Sequence, residues 1–380
     1  MFPLPRHSDL RRLETPTDIE TIIGRPAPMV VLKELNALDE GCRTVLAHSP
    51  IAAFGYRDSD GTSRTTFVGG APGFAHVLSP TRISFSPPGS SDPHGPVSLF
   101  FLLPGVGEIL RVNGTTARRR RAQISVDVTQ AWVHCAQAIL RSSLWNPPTA
   151  TLAPTHHAQG DGPLSGPGIA DFLNAAPFLA LSSWDAAGGS DTSPRGDRQA
   201  AVQILDDHTL AIADRRGNKR ADTLHNLLRD NRLSLAALVP GRSGVLHISG
   251  HAAITNDPAL LQTMALRGKP PHLALLVDVE NAEIDRNDAL VRSRLWTPDA
   301  RSYRVRMPDL LAMGADHLAA NTTGSDGAPP ALLIKAISAI PGVNRLLRWG
   351  MDRAYCSGLR KEGYGNIQPG QGTHRGIRRR

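Results

Sequence analysis

Short runs in which apolar and polar positions alternate dominate the second half of this chain. "FLALSSWD" (178–185), "QAAVQILDD" (199–207), "TLAIAD" (209–214), "RLSLAALVP" (232–240), "VLHISGHAAIT" (245–255) and "LALLVDVENAEI" (273–284) are each punctuated by Gly, Pro or paired Asp. An alternation of period two puts successive side chains on opposite faces, so these runs are expected to be strands. One segment changes period: "KRADTLHNLLRD" (219–230) sets Leu224, Leu227 and Leu228 on one helical face. Shorter helices are expected at "IADFLNAA" from Ile169, at "DPALLQTMAL" (257–266) and at "MVVLKELNAL" (29–38). The tail from about residue 300 carries one or two more, including one in "ALLIKAISAIPGVNRLLRWGMDRAY" (331–355). About six closely spaced strands with one or two helices suggest a small barrel rather than an open parallel sheet.

The pattern is written twice. "LFFLLPGVGEILRVNG" (99–114) matches "LAALVPGRSGVLHISG" (235–250) at an offset of 136, with six identities. "VDVTQAWVHCAQAILRSSLWNP" (126–147) matches "VDVENAEIDRNDALVRSRLWTP" (277–298) at an offset of 151, with ten identities in 22. Upstream, Pro50, Ala53 and Asp58 match Pro177, Ala180 and Asp185 at an offset of 127. The growth from 127 to 136 means the first copy lacks nine residues between Phe85 and Leu99. The same interval in the second copy contains "DRRGNKRADTLHNL". Self-similarity in this order implies a tandem duplication. The expected organisation is an N-terminal arm (1–40), a first repeat (41–148), a Pro/Gly/His-rich linker (149–168), a second repeat (169–300) and a tail (301–380).

Charge and cysteine content narrow the classes of function. The formal charge of +8 is carried by two local runs, Arg118–Arg121 and the tail arginines Arg375, Arg378, Arg379 and Arg380. The remainder is balanced, so no nucleic-acid partner is expected. Cys42, Cys135 and Cys356 are too few and odd in number for a disulfide framework, which points to a reducing compartment. The N-terminus lacks the apolar core of a secretory signal, and Lys335 and Pro341 break the most apolar segment. A soluble, cytoplasmic protein with no membrane partner is expected.

Chemistry concentrates in "SPRGD" (193–197) and "ADRRGNKRADTLHNLL" (213–228). The second reads as a strand end, a turn at Gly217, then Asn218, Lys219 and Arg220 at the start of a helix. Amides at a helix start together with guanidinium and ammonium groups suit a phosphate dianion, and Arg195 lies one strand away. The same residues also suit a solvated hairpin, and spacing alone leaves both open.

The run "DTSPRGD…VQILDDHTLAIADRRGNKRADTLHNLLRDNRLSLAALVPG…LHISGHAAITNDPALLQTMALRGKPPHLALLVDVENA" resembles the pyridoxamine 5'-phosphate oxidase-related flavoproteins, the FMN-binding split barrels. The resemblance covers residues 171–298 well and residues 45–147 in a degenerate form. It implies FMN at an interface between two barrels, with phosphate ligands from one and ring contacts partly from the other. Carried over by position, it implies Arg195, Asn218, Lys219 and Arg220 near the phosphate and ribityl chain. In the first repeat Val68 stands where Arg195 should be, and the Gly-Asn-Lys-Arg loop is missing. Yet "AWVHCAQAILRSSLW" (131–145) resembles the family ending more closely than its counterpart in the second repeat. The resemblance therefore implies one composite site, to which the first repeat brings His134, Arg141 and Trp145. Trp145 and Trp296 occupy equivalent positions, so packing under a barrel end is an equal reading of both.

The expected fold is mainly β (α+β): two fused split β-barrels as an intrachain pseudo-dimer with a helical C-terminal extension. The expected function is an FMN-dependent oxidoreductase acting on a small molecule, with NAD(P)H a candidate electron donor. The chain would be a monomer in pseudo-dimer form, or a homodimer. F420 or haem in place of FMN, and a non-catalytic flavin-binding protein, are the alternatives. No metal is expected, because His134 beside Cys135 has no further Cys or His at ligand spacing.

Overall fold

A computed structural model describes residues 10–87, 89, 91–117, 123–146, 160–198, 200–297, 309–321 and 343–365. The basic run at Arg118–Arg121, most of the linker with His156 and His157, and the basic end of the tail lie outside these residues. After a two-residue strand β1 (Arg12–Leu13), two antiparallel sheets follow one another along the chain.

The first sheet contains β2 (Ile51–Asp58), β3 (Ser63–Gly69), β4 (His76–Ser79), β5 (Arg82–Phe85), β6 (Pro93–Leu102), β7 (Ile109–Thr116) and β8 (Ile124–His134). Its order is β3-β2-β6-β7-β8-β5-β4. The second contains β9 (Phe178–Trp184), β10 (Ser190–Gly196), β11 (Gln203–Ile204), β12 (Thr209–Asp214), β13 (Arg232–Leu238), β14 (Gly244–Thr255) and β15 (Leu273–Arg286). Its order is β10-β9-β13-β14-β15-β12-β11, with β1 added beside β14. Among the described residues neither sheet closes, so the expected barrels are two open, mainly β sheets of one common order.

Register agrees as well as order. Phe54 pairs with Leu99 and Leu181 with Leu235; Leu110 pairs with Val133 and Leu246 with Ile284. Each sheet carries a bulge at the same place, between Asn113 and Gly114 and between Ser249 and Gly250. A Cβ on either glycine would run into a carbonyl of the facing strand, Asp127 or Asp278, so both positions require glycine. That steric demand explains why this Gly is among the six identities of the first match.

Each sheet wraps an apolar core, and a third core lies between them. There β10 packs on β6 and β3 on β13. At its centre, buried Thr65 bonds Ser182 (2.8 Å) and Ser234 (2.6 Å), while Thr192 bonds Ser98 (2.6 Å) and Ser182 (2.8 Å). Gly55, on the opposing strand, sits where any Cβ would be 2.7 Å from that of Ser182.

Helices form near their expected places but are shorter. Asp222–Leu227 buries Leu224 and Leu227, and Pro258–Thr263 starts where the Asp257 side chain accepts from the Ala259 and Leu260 amides. Ile169–Ala175 matches "IADFLNAA". The arm helix stops at Val31, because Leu35 pairs with Ala131 through two backbone bonds. In the tail, helices span Leu310–Asn321 and Val343–Lys361, and residues 331–342 of the expected segment lie outside the described residues.

Candidate functional site

The segments joining equivalent strands differ at one point. Residues 86–92 link β5 to β6, whereas residues 215–231 link β12 to β13 and contain the helix Asp222–Leu227. Beside this longer link, where the helix Gln137–Ser142 of the first half lies on β10, a cavity of about 440 Å³ opens. Both halves line it. Arg111, His134, Cys135, Gln137 and Arg141 come from the first; Asp191, Arg195, Asp214–Asn218, Lys219, Arg220 and Asp222 from the second. Ile22 and Ile23 of the arm add apolar wall.

Cations outnumber carboxylates in the lining, and five of the arginines are held in place by an acid. Arg111 pairs with Asp191, both almost fully buried, and lies 4.6 Å from the Trp132 ring. Burial lowers the Arg111 pKa to about 10, which leaves it a cation at neutral pH. Arg195 pairs with Asp214, and Arg215 with Asp197 at 2.8 Å. Arg220 bonds Asp222 (2.9 Å) and Glu34 (2.8 Å) and also lies over the Trp132 indole, 4.6 Å from its centroid. Burial opposes its charge, but the two carboxylates outweigh burial and raise its pKa. Arg141 bonds both carboxylate oxygens of Glu362 (2.9 Å each) and the Arg216 carbonyl.

These pairs do not exhaust the donors. Arg111 Nε, Arg141 Nε, Arg195 Nε, Arg220 Nη1 and His134 Nδ1 are all buried without a hydrogen-bond partner, and all belong to residues that line the cavity. Unsatisfied buried donors are costly, and their concentration in one place marks a site built for an acceptor. Burial, reinforced by Arg111, Arg220 and Arg195, holds the His134 pKa well below its usual value, so the imidazole is neutral.

Six of the seven residues expected from the sequence thus line one cavity: Arg195, Asn218, Lys219, Arg220, Arg141 and His134. Trp145 does not. Its indole N–H donates to the Val106 carbonyl (2.7 Å), and Trp296 donates likewise to Leu144 (2.8 Å). Both rings pack against the core between the sheets, as equivalent end-of-motif tryptophans. The phosphate loop also differs in detail. Gly217 is not at positive φ; Lys219 (φ 63°) and Ala221 (φ 58°) make the left-handed turn instead. The helix begins only at Asp222, and the Asn218 side chain accepts the Arg220 amide (3.1 Å), so Asn218 shapes the loop. Sequence reasoning missed Arg111, Asp191, Glu34 and Glu362. Arg111 is the position at which the first sixteen-residue match exchanges Arg for His247, the one visible signal.

On the other side the equivalent groups make direct bonds to β3. His247 Nδ1 lies 2.8 Å from the Thr65 carbonyl, Asn287 donates to the Phe67 carbonyl (3.0 Å) and Arg292 to the Gly69 carbonyl (3.2 Å). Arg292 and His247 stand at the offsets of Arg141 and Arg111. Where those two reach the cavity, these reach β3.

Residues 166–284 match the family model described as pyridoxamine 5'-phosphate oxidase. HupZ of Group A Streptococcus is similar to this chain at 18% identity, over 31% of this chain and 90% of that one, with a TM-score of 0.26. General Stress Protein 26 of Bacillus anthracis is similar at 14% identity over 30% and 93% of the two chains, with a TM-score of 0.23. A structure named F420 reductase is similar at 12% identity over 30% and 93%, with a TM-score of 0.24. Scores of this size carry no further argument. No curated protein matches the chain. The matched segment runs from before β9 to the outer part of β15 and includes Arg195 and the 215–221 loop, and the match supports kinship of this segment with the pyridoxamine 5'-phosphate oxidase-related proteins.

Proposed function

We propose that the chain is an FMN-dependent oxidoreductase with one composite flavin site, formed between two fused split-barrel units that pair within the chain as subunits of a dimer would. The units are those expected from the sequence, 41–148 and 169–300. One observation carries the proposal: unpartnered buried donors of both halves gather in a single cavity, while the equivalent groups on the other side bond to β3 instead. The cavity volume of about 440 Å³ lies within the usual range for a cofactor or drug-sized ligand. Common strand order, register and bulge position support duplication of one unit.

The residues fit a phosphate-bearing ligand. Arg195, Lys219 and Arg220 would hold the phosphate, and the two carboxylate partners of Arg220 would keep its fork in place. Ile22, Ile23, Pro194 and Leu224 offer apolar walls for a ring and exclude water from it. Arg111 and Arg141 bring donors from the opposite half, and neutral His134 offers a hydrogen bond without adding charge. A bound flavin would supply the electron or hydride transfer; the protein binds, orients and tunes it.

The test is the absorption spectrum of the purified protein, followed by titration of the stripped protein with FMN. A flavin spectrum and saturation at one FMN per chain are expected. A deazaflavin or haem spectrum would replace FMN in this reading, and saturation at two per chain would refute the composite site.

A further inference from the structure

We propose that Asp39, Cys42 and His317 form a binding site for a divalent metal of the zinc class, which fastens the tail helix Leu310–Asn321 to the first sheet. The three residues lie outside the cavity lining and outside the matched segment 166–284. Asp39 is the N-cap of the helix Glu40–His48, and Cys42 lies one turn further on. That i, i+3 spacing puts both on one side of the helix start. His317 comes from the facing tail helix.

The geometry is close to what a tetrahedral ion needs. Asp39 Oδ2 is 3.0 Å from His317 Nε2, Cys42 Sγ is 3.9 Å from the same nitrogen, and all three ligand atoms lie within 4.8 Å of one another. Zinc bonds of about 2.0 Å to nitrogen or oxygen and about 2.3 Å to sulfur set ligand separations of about 3.3–3.6 Å. The two distances to His317 Nε2 bracket that range, and the Asp39 carboxylate and Cys42 thiol close toward each other around the ion. A thiol, an imidazole and a carboxylate together select zinc or cobalt over magnesium or calcium, which take oxygen ligands.

Burial supplies a second, independent argument. Cys42 and the His317 side chain are fully buried, next to a core containing Leu38, Val45, Leu46 and Met313, and His317 Nδ1 has no partner. His317 Nε2, the Asp39 carboxylate and the Cys42 thiol converge on one another, and an ion would replace the contacts among them with three metal bonds. On binding, the Cys42 thiol loses its proton to solvent and His317 binds through Nε2 with its own proton on Nδ1. Asp39 Oδ1 keeps the Cys42 amide at 2.8 Å, while Oδ2 turns to the metal. Its side chain is 40% exposed, which leaves the fourth position to water.

The site also bears on the cavity. From the same tail helix, Asn321 donates to the carbonyls of Leu32 (2.9 Å) and Glu34 (2.7 Å), and the Glu34 carboxylate holds Arg220. Fixing the tail helix therefore fixes the arm residue that positions Arg220.

The full-length protein, stripped with a chelator, is titrated with Co(II) and followed by absorption. Saturation at one ion per chain is expected, with a thiolate-to-cobalt charge-transfer band and tetrahedral d–d bands that Zn(II) abolishes. Cys42→Ser and His317→Gln should each weaken binding at least tenfold, and Cys42→Ser should lose the charge-transfer band; Cys356→Ser should keep it. Zinc should raise the melting temperature of the wild type but not of Cys42→Ser, with circular dichroism confirming that the variants fold. Absence of the band in the wild type overturns the proposal without recourse to any variant. So does a band that survives Cys42→Ser or vanishes with Cys356→Ser.

Discussion

Replacing Arg220 by Ala separates phosphate recognition from general damage to the cavity. The Arg220 guanidinium spends Nε on Asp222 and Nη2 on Glu34, and Nη1 is buried without a partner. That nitrogen is the one available to a ligand phosphate, and a hydrogen bond to a charged group contributes about 1.5–3 kcal/mol. Its loss corresponds to an FMN affinity lower by about tenfold to a hundredfold. The substitution also strands Asp222 and Glu34 beside the phosphate, and their repulsion pushes the loss toward the upper figure. Quenching of flavin fluorescence on titration reads the affinity. The informative comparison is riboflavin, which has the same ring and no phosphate. The penalty of Arg220→Ala should be confined to FMN, and riboflavin should bind wild type and variant within about twofold. Arg292→Ala, at the offset of Arg141 but bonded to the Gly69 carbonyl, should leave FMN affinity unchanged. An equal loss for riboflavin and FMN would refute the assignment, since Arg220 would then act by holding the loop and Trp132 in place.

Trp145→Ala should lower stability by about 2–4 kcal/mol, because it removes a packed ring between the sheets, while leaving the flavin spectrum as it is. A spectral shift with unchanged stability would return Trp145 to the site. Asp230 lies under Arg232 and Arg57; burial pushes its pKa up, but their hydrogen bonds prevail and hold it well below the usual carboxylate value. A carboxylate depressed in the folded state contributes stability above its unfolded pKa of about 4 and loses it as pH falls further. Asp230→Asn should therefore destabilise at pH 7 and converge with the wild type in denaturant melts at the acid end; a constant difference at all pH values would contradict this.

Much of the fold was legible because it is written in short-range rules. Alternation marked the strands, and the glycine of the bulge persisted in both halves because no other residue clears the facing carbonyl. The missing nine residues located the loop and helix that set the two halves apart. Closure of a barrel was not legible, since it depends on edges that no local pattern describes. Within the site, Arg195, Lys219 and Arg220 were found through their clustering in one loop and strand end. Arg111 was not, because it stands alone in an apolar strand and meets Asp191 only through the packing of one sheet on the other. Glu34 and Glu362 arrive from the arm and the tail, 186 and 221 residues from their partners, a distance that pattern reading does not bridge. For Trp145 the packing alternative fits better: a repeated Trp signals a demand common to both halves, and packing is common to both. His317 is 275 residues from Cys42, beyond any ligand-spacing rule.

Gly55 has a consequence for how copies of this chain recognise one another. It stands at the offset of Ser182 and faces it across the sheet contact, where a Cβ would be 2.7 Å from that of Ser182. Two second halves brought together in the same arrangement would set serine against serine in a space that admits one. Two first halves would set glycine against glycine, leaving a hole and depriving Thr65 of the Ser182 hydroxyl it bonds at 2.8 Å. Each half is therefore a poor partner for its own kind and a good one for the other. If the two halves arose by duplication, as proposed, like no longer fits like and reversion to a symmetric dimer is disfavoured. In a chain so built, the two halves need not carry the same groups: the first lacks the counterpart of residues 215–231, and the second has His247 where the first has Arg111.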